Sequence, residues 1–178
     1  KNNKKQRYDR FFYQESLRKL FTSIKFLNSE KPFNTIVLTS SIPAEGKSLV
    51  NILLSKTLSE MGQRILLIDA DLRKPRLHYS LGLNNLQGLS NILTSSSTDI
   101  FEYIQKVPEY DNWSILTSGQ IPPDPTRLLS SNRMKDIIKR LQESNEFDLI
   151  LFDTPPIIEI SDANLVSNYC DGLILLIS

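Results

Sequence analysis

Cysteine is nearly absent from this 178-residue chain. The single one, Cys170, cannot form an internal disulfide, and a chain of this size without cross-links suits a reducing compartment. Its apolar neighbours make it a packing residue. Histidine is equally scarce: His78 has no second histidine and no thiol with which to share a metal or a proton, so it reads as a packing or surface residue. Charge of one sign is also lacking. Lys and Arg total 21 against 20 Asp and Glu, and a net charge of +1 provides no bulk attraction to nucleic acid or acidic lipid. No apolar run approaches the roughly 20 residues that cross a bilayer, and no signal peptide is present. Internal repeats are missing too, and low complexity is confined to the serines at 95–97.

What remains is a chain with 40% hydrophobic residues, enough for one globular domain that buries roughly 70% of its unfolded surface. It opens on "KNNKKQR" without methionine and closes on the apolar "DGLILLIS" with nothing to cover it, which reads as a fragment of a longer protein, cut at its C-terminus. The basic start at Lys1, Lys4, Lys5 and Arg7 is what the positive-inside bias places just cytoplasmic of a membrane helix; a solvated tail explains it equally.

Short apolar runs at 35–40, 64–70, 113–118, 148–153 and 172–178 lack a polar alternate face and are expected to be buried parallel strands. Helical sequence separates them. Val50, Leu53, Leu54, Leu58 and Met61 recur at helical spacing before Gly62, a C-terminal stop. A second helix is expected from Asp124 as N-cap and Pro125 at the first position, with Leu128, Leu129, Ile137, Ile138 and Leu141 inward. Strands alternating with helices predict a doubly wound, mainly parallel α/β sheet, with ligand sites at the carboxyl ends of its strands.

One such end carries "SIPAEGKS", residues 41–48, which fits G-x-x-x-x-G-K-[ST] except that Ser41 replaces the first glycine. Gly46 lets the backbone turn its N–H groups toward phosphate oxygens, Lys47 brings a charge to the β and γ phosphates, and Ser48 offers a hydroxyl to Mg²⁺. The nucleotide cradle is assigned to Ser41, Pro43, Ala44, Glu45, Gly46, Lys47, Ser48 and Leu49. Three carboxylates join it. Asp69 and Asp71 close one strand at alternate positions, so that both are not expected in the core, and Asp153 closes another before Thr154-Pro155-Pro156. A lone aspartate at a strand end is usually a cap or solvated, but three converging on the phosphate-loop rim suit Mg²⁺, which takes one or two carboxylates with phosphate oxygens and water. The spare one is free to act as a base. Arg73 and Lys74 lie just beyond, as phosphate contacts or as a solvated basic turn.

"TSSIPAEGKS", "ILLIDADLRKPRLH", "GLSNIL", "LTSGQIPPDPTRLL" and "DLILFDTPP", with "ESLRKLFTSIKF" upstream, resemble in combination and order the cytoplasmic domain of the bacterial tyrosine kinases of capsular and exopolysaccharide export. The likeness covers nearly the whole chain. It implies a P-loop kinase domain at 31–178 behind a basic juxtamembrane segment and oligomerisation-type helix at 1–30, on the cytoplasmic face of the bacterial inner membrane. It further implies Mg·ATP as cofactor, a tyrosine tail of the same or a neighbouring subunit as acceptor, and a membrane-spanning activator segment upstream. Nucleic acid is not among the expected partners. In that pattern Lys47 and Ser48 belong to Walker A, Asp69 and Asp71 to the family's second Walker motif, and Asp153 to Walker B. The expected catalytic set is Lys47, Asp69 and Asp71, with Asp69 as base, and the metal set is Ser48, Asp71 and Asp153.

Four departures accompany the likeness. Ser41 and Ala44 stand where glycines are common, and Asp124 and Arg127 replace the family's Asn and Glu. The helix pattern E-x-x-R-x-x-R keeps Glu15 and Arg18 but has Phe21 in third place, either as an aromatic surface or packed with Leu17, Leu20 and Ile24 in its own domain, and weak or absent self-association of this fragment is expected. The six tyrosines are scattered, so the acceptor cluster is expected beyond this chain. Two alternatives stay open: an ATP-hydrolysing switch of the partition or septum-site type, whose early loop lysine this chain lacks, and a noncatalytic nucleotide-binding module of an export complex.

Overall fold

The computed structural model describes residues 2–26, 33–95, 99–158 and 161–177, with side chains from Phe12 onward. The basic side chains of the first seven residues, Ser96, Ser97 and Ser178 lie outside that description. No described helix is long and apolar enough to cross a membrane.

Helix α1 (Asn2–Phe26) precedes strand β1 (Thr35–Ser40). Helix α2 (Lys47–Glu60), strand β2 (Ile65–Asp69) and the short helices α3 (Leu77–Leu81) and α4 (Leu89–Thr94) follow. Strands β3 (Gln105–Lys106) and β4 (Trp113–Leu116) lead to α5 (Pro125–Leu129) and α6 (Asn132–Glu143), and β5 (Leu149–Asp153), α7 (Asp162–Ser167) and β6 (Gly172–Leu176) complete the order. The sheet runs β3-β4-β2-β5-β1-β6, parallel throughout except for β3, an edge strand that the apolar pattern does not reveal.

Both faces of this sheet are covered, which is why the central strands read as unbroken apolar runs. On one face Leu66, Ile68, Ile150 and Phe152 pack with residues of α4–α7; on the other Ile65, Leu67, Ile36 and Leu151 pack with α1–α3. Strand β6 departs from the expected burial. It pairs with β1 at the sheet edge, and Leu173 and Leu175 are 38% and 42% exposed, so its alternate side chains lie on a bare face. The long helix expected after Asp124 is two. Asp124 accepts from Arg127 N at 3.0 Å to start α5, and Ser131 accepts from Met134 N at 3.2 Å to start α6, so the Ser130-Ser131 step ends one helix and caps the next. In α2, Leu54 and Leu58 are buried as expected, but Val50 and Leu53 are only half-buried and Met61 is exposed; Asn51, Ser55 and Ser59 share the inner face instead.

Phe21 is 6% exposed and sits with Ile24, Leu54 and Leu58 in the core on the α1/α2 side, its ring under the Lys25 ammonium at 4.7 Å. The aromatic in third place of the E-x-x-R-x-x-R pattern is therefore a docking residue of its own domain rather than a replaced surface contact. Phe21→Arg is expected to destabilise the chain by about 3 kcal/mol or more, since it empties an aromatic site and buries an unpaired charge. Urea unfolding measures this, and a variant as stable as the parent would show that α1 is not held by this side chain.

Candidate nucleotide-binding site

Strands β1, β2 and β5 run parallel, so their last residues share one rim, and the register sets Asp69 opposite Asp153 and Leu38 opposite Asp153. The loop from Ser41 to Gly46 crosses this rim. Ala44 and Gly46 both take the left-handed backbone conformation, at φ 69° and 82°. Glycine adopts it freely; alanine pays roughly 1 kcal/mol for it. Alternation of left- and right-handed residues turns successive N–H groups to one side, the geometry that cradles anions. The Glu45 carboxylate accepts from Ile42 N at 2.9 Å and closes the loop on itself. Pro43 and Ala44 are exposed, and Leu49 is 59% exposed.

Lys47 is not an exposed loop lysine. Its ammonium lies 3.6 Å from Asp71 Oδ2 and 3.8 Å from Asp153 Oδ1, and its side chain is only 13% exposed. Ser48 donates to Asp153 Oδ2 at 2.6 Å, while Asn51, one turn further along α2, donates to Asp153 Oδ1 at 2.9 Å. Asp153 is thus bound by a lysine, a hydroxyl and an amide. Burial still pushes its carboxyl above the usual range, against the opposing pull of Lys47, Ser48 and Asn51.

Asp69 lies deeper. It has no exposed surface; Oδ1 accepts from Asp71 N at 3.3 Å and Oδ2 from Leu77 N at 3.1 Å. Burial first, and then the charge of Asp153, push its carboxyl up to about 8. Asp71 in turn accepts from Arg73 N at 3.3 Å and Lys74 N at 2.9 Å, leaving Oδ2 to Lys47. Both aspartates of this strand end are buried, contrary to expectation, because the turn at 71–77 folds its backbone N–H groups onto them and replaces the water they would lose.

Arg73 is held in an ion pair. Its guanidinium donates to Asp162 Oδ2 at 2.9 Å and to Thr126 Oγ1 at 2.7 Å, and Thr126 donates to Asp162 Oδ1 at 3.0 Å. Asp162 is fully buried, so this pair anchors the aspartate turn to α5 and α7. Asn51 and Asp162 escaped the sequence reading. Asn51 had a local signal, its position three residues after Ser48; the partner of Asp162 is 89 residues away.

Lys47, Ser48, Asp71 and Asp153 thus converge as expected, with Asp69 beneath them. Among the described residues no three His, Cys, Asp or Glu side chains are grouped to hold a metal by themselves. Two carboxylates and a hydroxyl do suit Mg²⁺ that completes its shell with phosphate oxygens and water, and the left-handed Ala44 and Gly46 suit phosphate; the residues present fit Mg·nucleotide.

Residues 34–176 match the family described as AAA domain. The tyrosine-protein kinase YwqD of Bacillus subtilis is 37% identical over 92% of this chain and 68% of its own length. The chain belongs to the bacterial tyrosine-protein kinase family. A second member, the putative tyrosine-protein kinase CapB of Staphylococcus aureus, is 33% identical over 92% of the chain and 70% of its own length. Among solved structures the kinase domain of Escherichia coli tyrosine kinase ETK superposes with a TM-score of 0.84 at 31% identity, covering 92% of this chain and 62% of that domain. The chain spans about a fifth of the longer family member Wzc of Salmonella typhimurium, 21% of its length. The fold extends beyond the tyrosine kinases: the septum site-determining protein MinD of Pyrococcus horikoshii, solved with Mg-ADP, superposes at a TM-score of 0.67 and 25% identity, over 80% of this chain and 57% of that one.

Proposed function

We propose that this chain is the Mg·ATP-dependent protein-tyrosine kinase domain of a capsular or exopolysaccharide synthesis and export system, acting at the cytoplasmic face of the bacterial inner membrane. The observation that carries this reading is the placement of Lys47 between Asp71 and Asp153, with Ser48 on Asp153, at the rim where β1, β2 and β5 end. Phosphoryl transfer asks for this set: a cation for the phosphates, acids for the metal and a carboxylate for the acceptor proton.

The loop N–H groups around Ala44 and Gly46 and the Lys47 ammonium would hold the phosphates, and Ser48, Asp71 and Asp153 would face Mg²⁺. Bound Mg²⁺ supplies neutralisation of the charge that develops on the transferred phosphoryl group. Asp69 is assigned as base for the tyrosyl proton. Its carboxyl, raised to about 8, titrates near the working pH, where a general base is most effective. Because the 71–77 turn covers it, proton acceptance requires that turn to shift, and Arg73 on Asp162 sets how readily it does. The acceptor is a tyrosine of the same or a neighbouring subunit, and the activator is a membrane-spanning segment.

Incubation of the complete protein with γ-labelled ATP and Mg²⁺ tests the reading. Label is expected on tyrosine. Label found in free phosphate alone would overturn the kinase and leave an ATP-hydrolysing switch.

A further inference from the structure

Beside the aspartate turn lies an open cavity of about 520 Å³ whose lining includes Lys74, Arg76, His78, Asn85, Gln120 and Ile121, and no acidic residue. Neither the Lys74 nor the Arg76 side chain has an ion-pair partner among the described residues, and both residues are exposed. The rest of the lining is hydrogen-bonded. Asn85 donates to Gly119 O at 3.0 Å and accepts from Gly119 N at 2.9 Å and from the Ser118 hydroxyl at 3.2 Å, which ties it to the loop that carries Gln120 and the 63%-exposed Ile121. The cavity therefore offers two unpaired cations and a histidine on one side and an apolar lip on the other.

Its position relates it to the chemistry. Asp71 accepts from the backbone of Lys74, and Asp69 from the backbone of Leu77, so the segment that lines the cavity is the one wrapped on the two carboxylates. Asp71 and Lys74 are three positions apart along the chain, at most about 11 Å. An extended peptide with its tyrosine at the aspartates would carry side chains three or four positions away into this cavity.

We propose that the cavity is an acceptor subsite, which selects segments bearing acidic side chains within about four residues of the tyrosine to be phosphorylated. The inference rests on the tyrosine-transfer reading of the adjoining site. Its physical basis is charge complementarity: a cationic, acid-free cleft raises the affinity of an anionic segment and rejects a basic one.

The test uses fluorescent decapeptides in which phenylalanine replaces the acceptor tyrosine, so that binding is read without transfer. One has glutamates at the flanking positions, one has glutamines, and one carries phosphotyrosine. Anisotropy in the presence of Mg·ADP should show the glutamate peptide binding about tenfold tighter than the glutamine peptide, with that preference falling to within about twofold in the double variant Lys74→Gln/Arg76→Gln. Affinity for Mg·ADP should be unchanged in the variant. Equal binding of the two peptides by the parent, or a preference that survives the double substitution, would overturn the proposal. Tight binding of the phosphotyrosine peptide without discrimination between glutamate and glutamine would also overturn it, in favour of a phosphoryl pocket. If discrimination holds but the tyrosine forms of the peptides gain no label from ATP, the cavity still binds acidic segments, but the tyrosine-transfer reading falls and the acceptor role of the cavity falls with it.

Discussion

Lys47→Met is expected to abolish detectable transfer from ATP, lowering the rate by about a thousandfold or more, and to destabilise the chain even without nucleotide. The first effect follows from the loss of the charge that meets the phosphates. The second follows from where the ammonium sits, within 4 Å of two largely buried carboxylates and shielded from solvent. Removing one partner of such a group leaves the others uncompensated, at a cost of about 2 kcal/mol for this partly open geometry.

The pH dependence separates this from a simple packing loss. Lys47 holds Asp153 down against burial, so without it the folded-state pKa of Asp153 rises further above its unfolded value. A raised carboxyl costs nothing below the unfolded pKa, near 4, and its cost grows as pH climbs toward the folded pKa. The gap between parent and Lys47→Met should therefore be largest at pH 8 and nearly vanish at pH 4. Urea unfolding across that range measures it; a gap independent of pH would mean that Lys47 does not neutralise these acids.

Asp69→Asn should eliminate tyrosine labelling while retaining Mg·ATP binding, and it should also change the sign of a stability difference. The Asp69 carboxyl is raised from 3.8 to about 8, so the parent holds a proton that the unfolded chain has lost between those values, and its stability falls as pH rises through that window. The fall amounts to several kcal/mol at most, about 1.4 kcal/mol for every tenfold drop in proton concentration across the window. Asparagine carries no charge and removes this slope. It also has one acceptor oxygen where the carboxyl uses two, for Asp71 N and Leu77 N, so one hydrogen bond is lost at about 1 kcal/mol. The variant should thus be the less stable protein below about pH 4 and the more stable one at pH 8. Parallel curves would remove Asp69 as the titrating group. If labelling survives in Asp69→Asn, Asp69 is not the base.

The phosphate loop, the strand ends and the order of strands and helices were legible in the residues themselves. Their signals are local: a glycine, lysine and serine at fixed spacing between an apolar run and a helix, or a carboxylate that ends such a run. Asp124 as a cap is equally local, since the amide it accepts from is three residues away. Other features had no local signal. That Ser48 donates to Asp153 is decided only when β5 brings the carboxylate to it across 105 positions. Arg73 finds Asp162 only when α7 returns over the sheet, and Phe21 counts as core only because α1 lies on α2. Asp69 is the clearest case. Its identity and strand position belong to the sequence, but its raised proton affinity comes from the register that sets it opposite Asp153 and from the turn that seals it from water. Spacing along the chain determined which groups stand at the rim; the pairing of distant strands and the exclusion of solvent decided their charge, because a carboxylate's proton affinity depends on its surroundings in space and not on its neighbours in sequence.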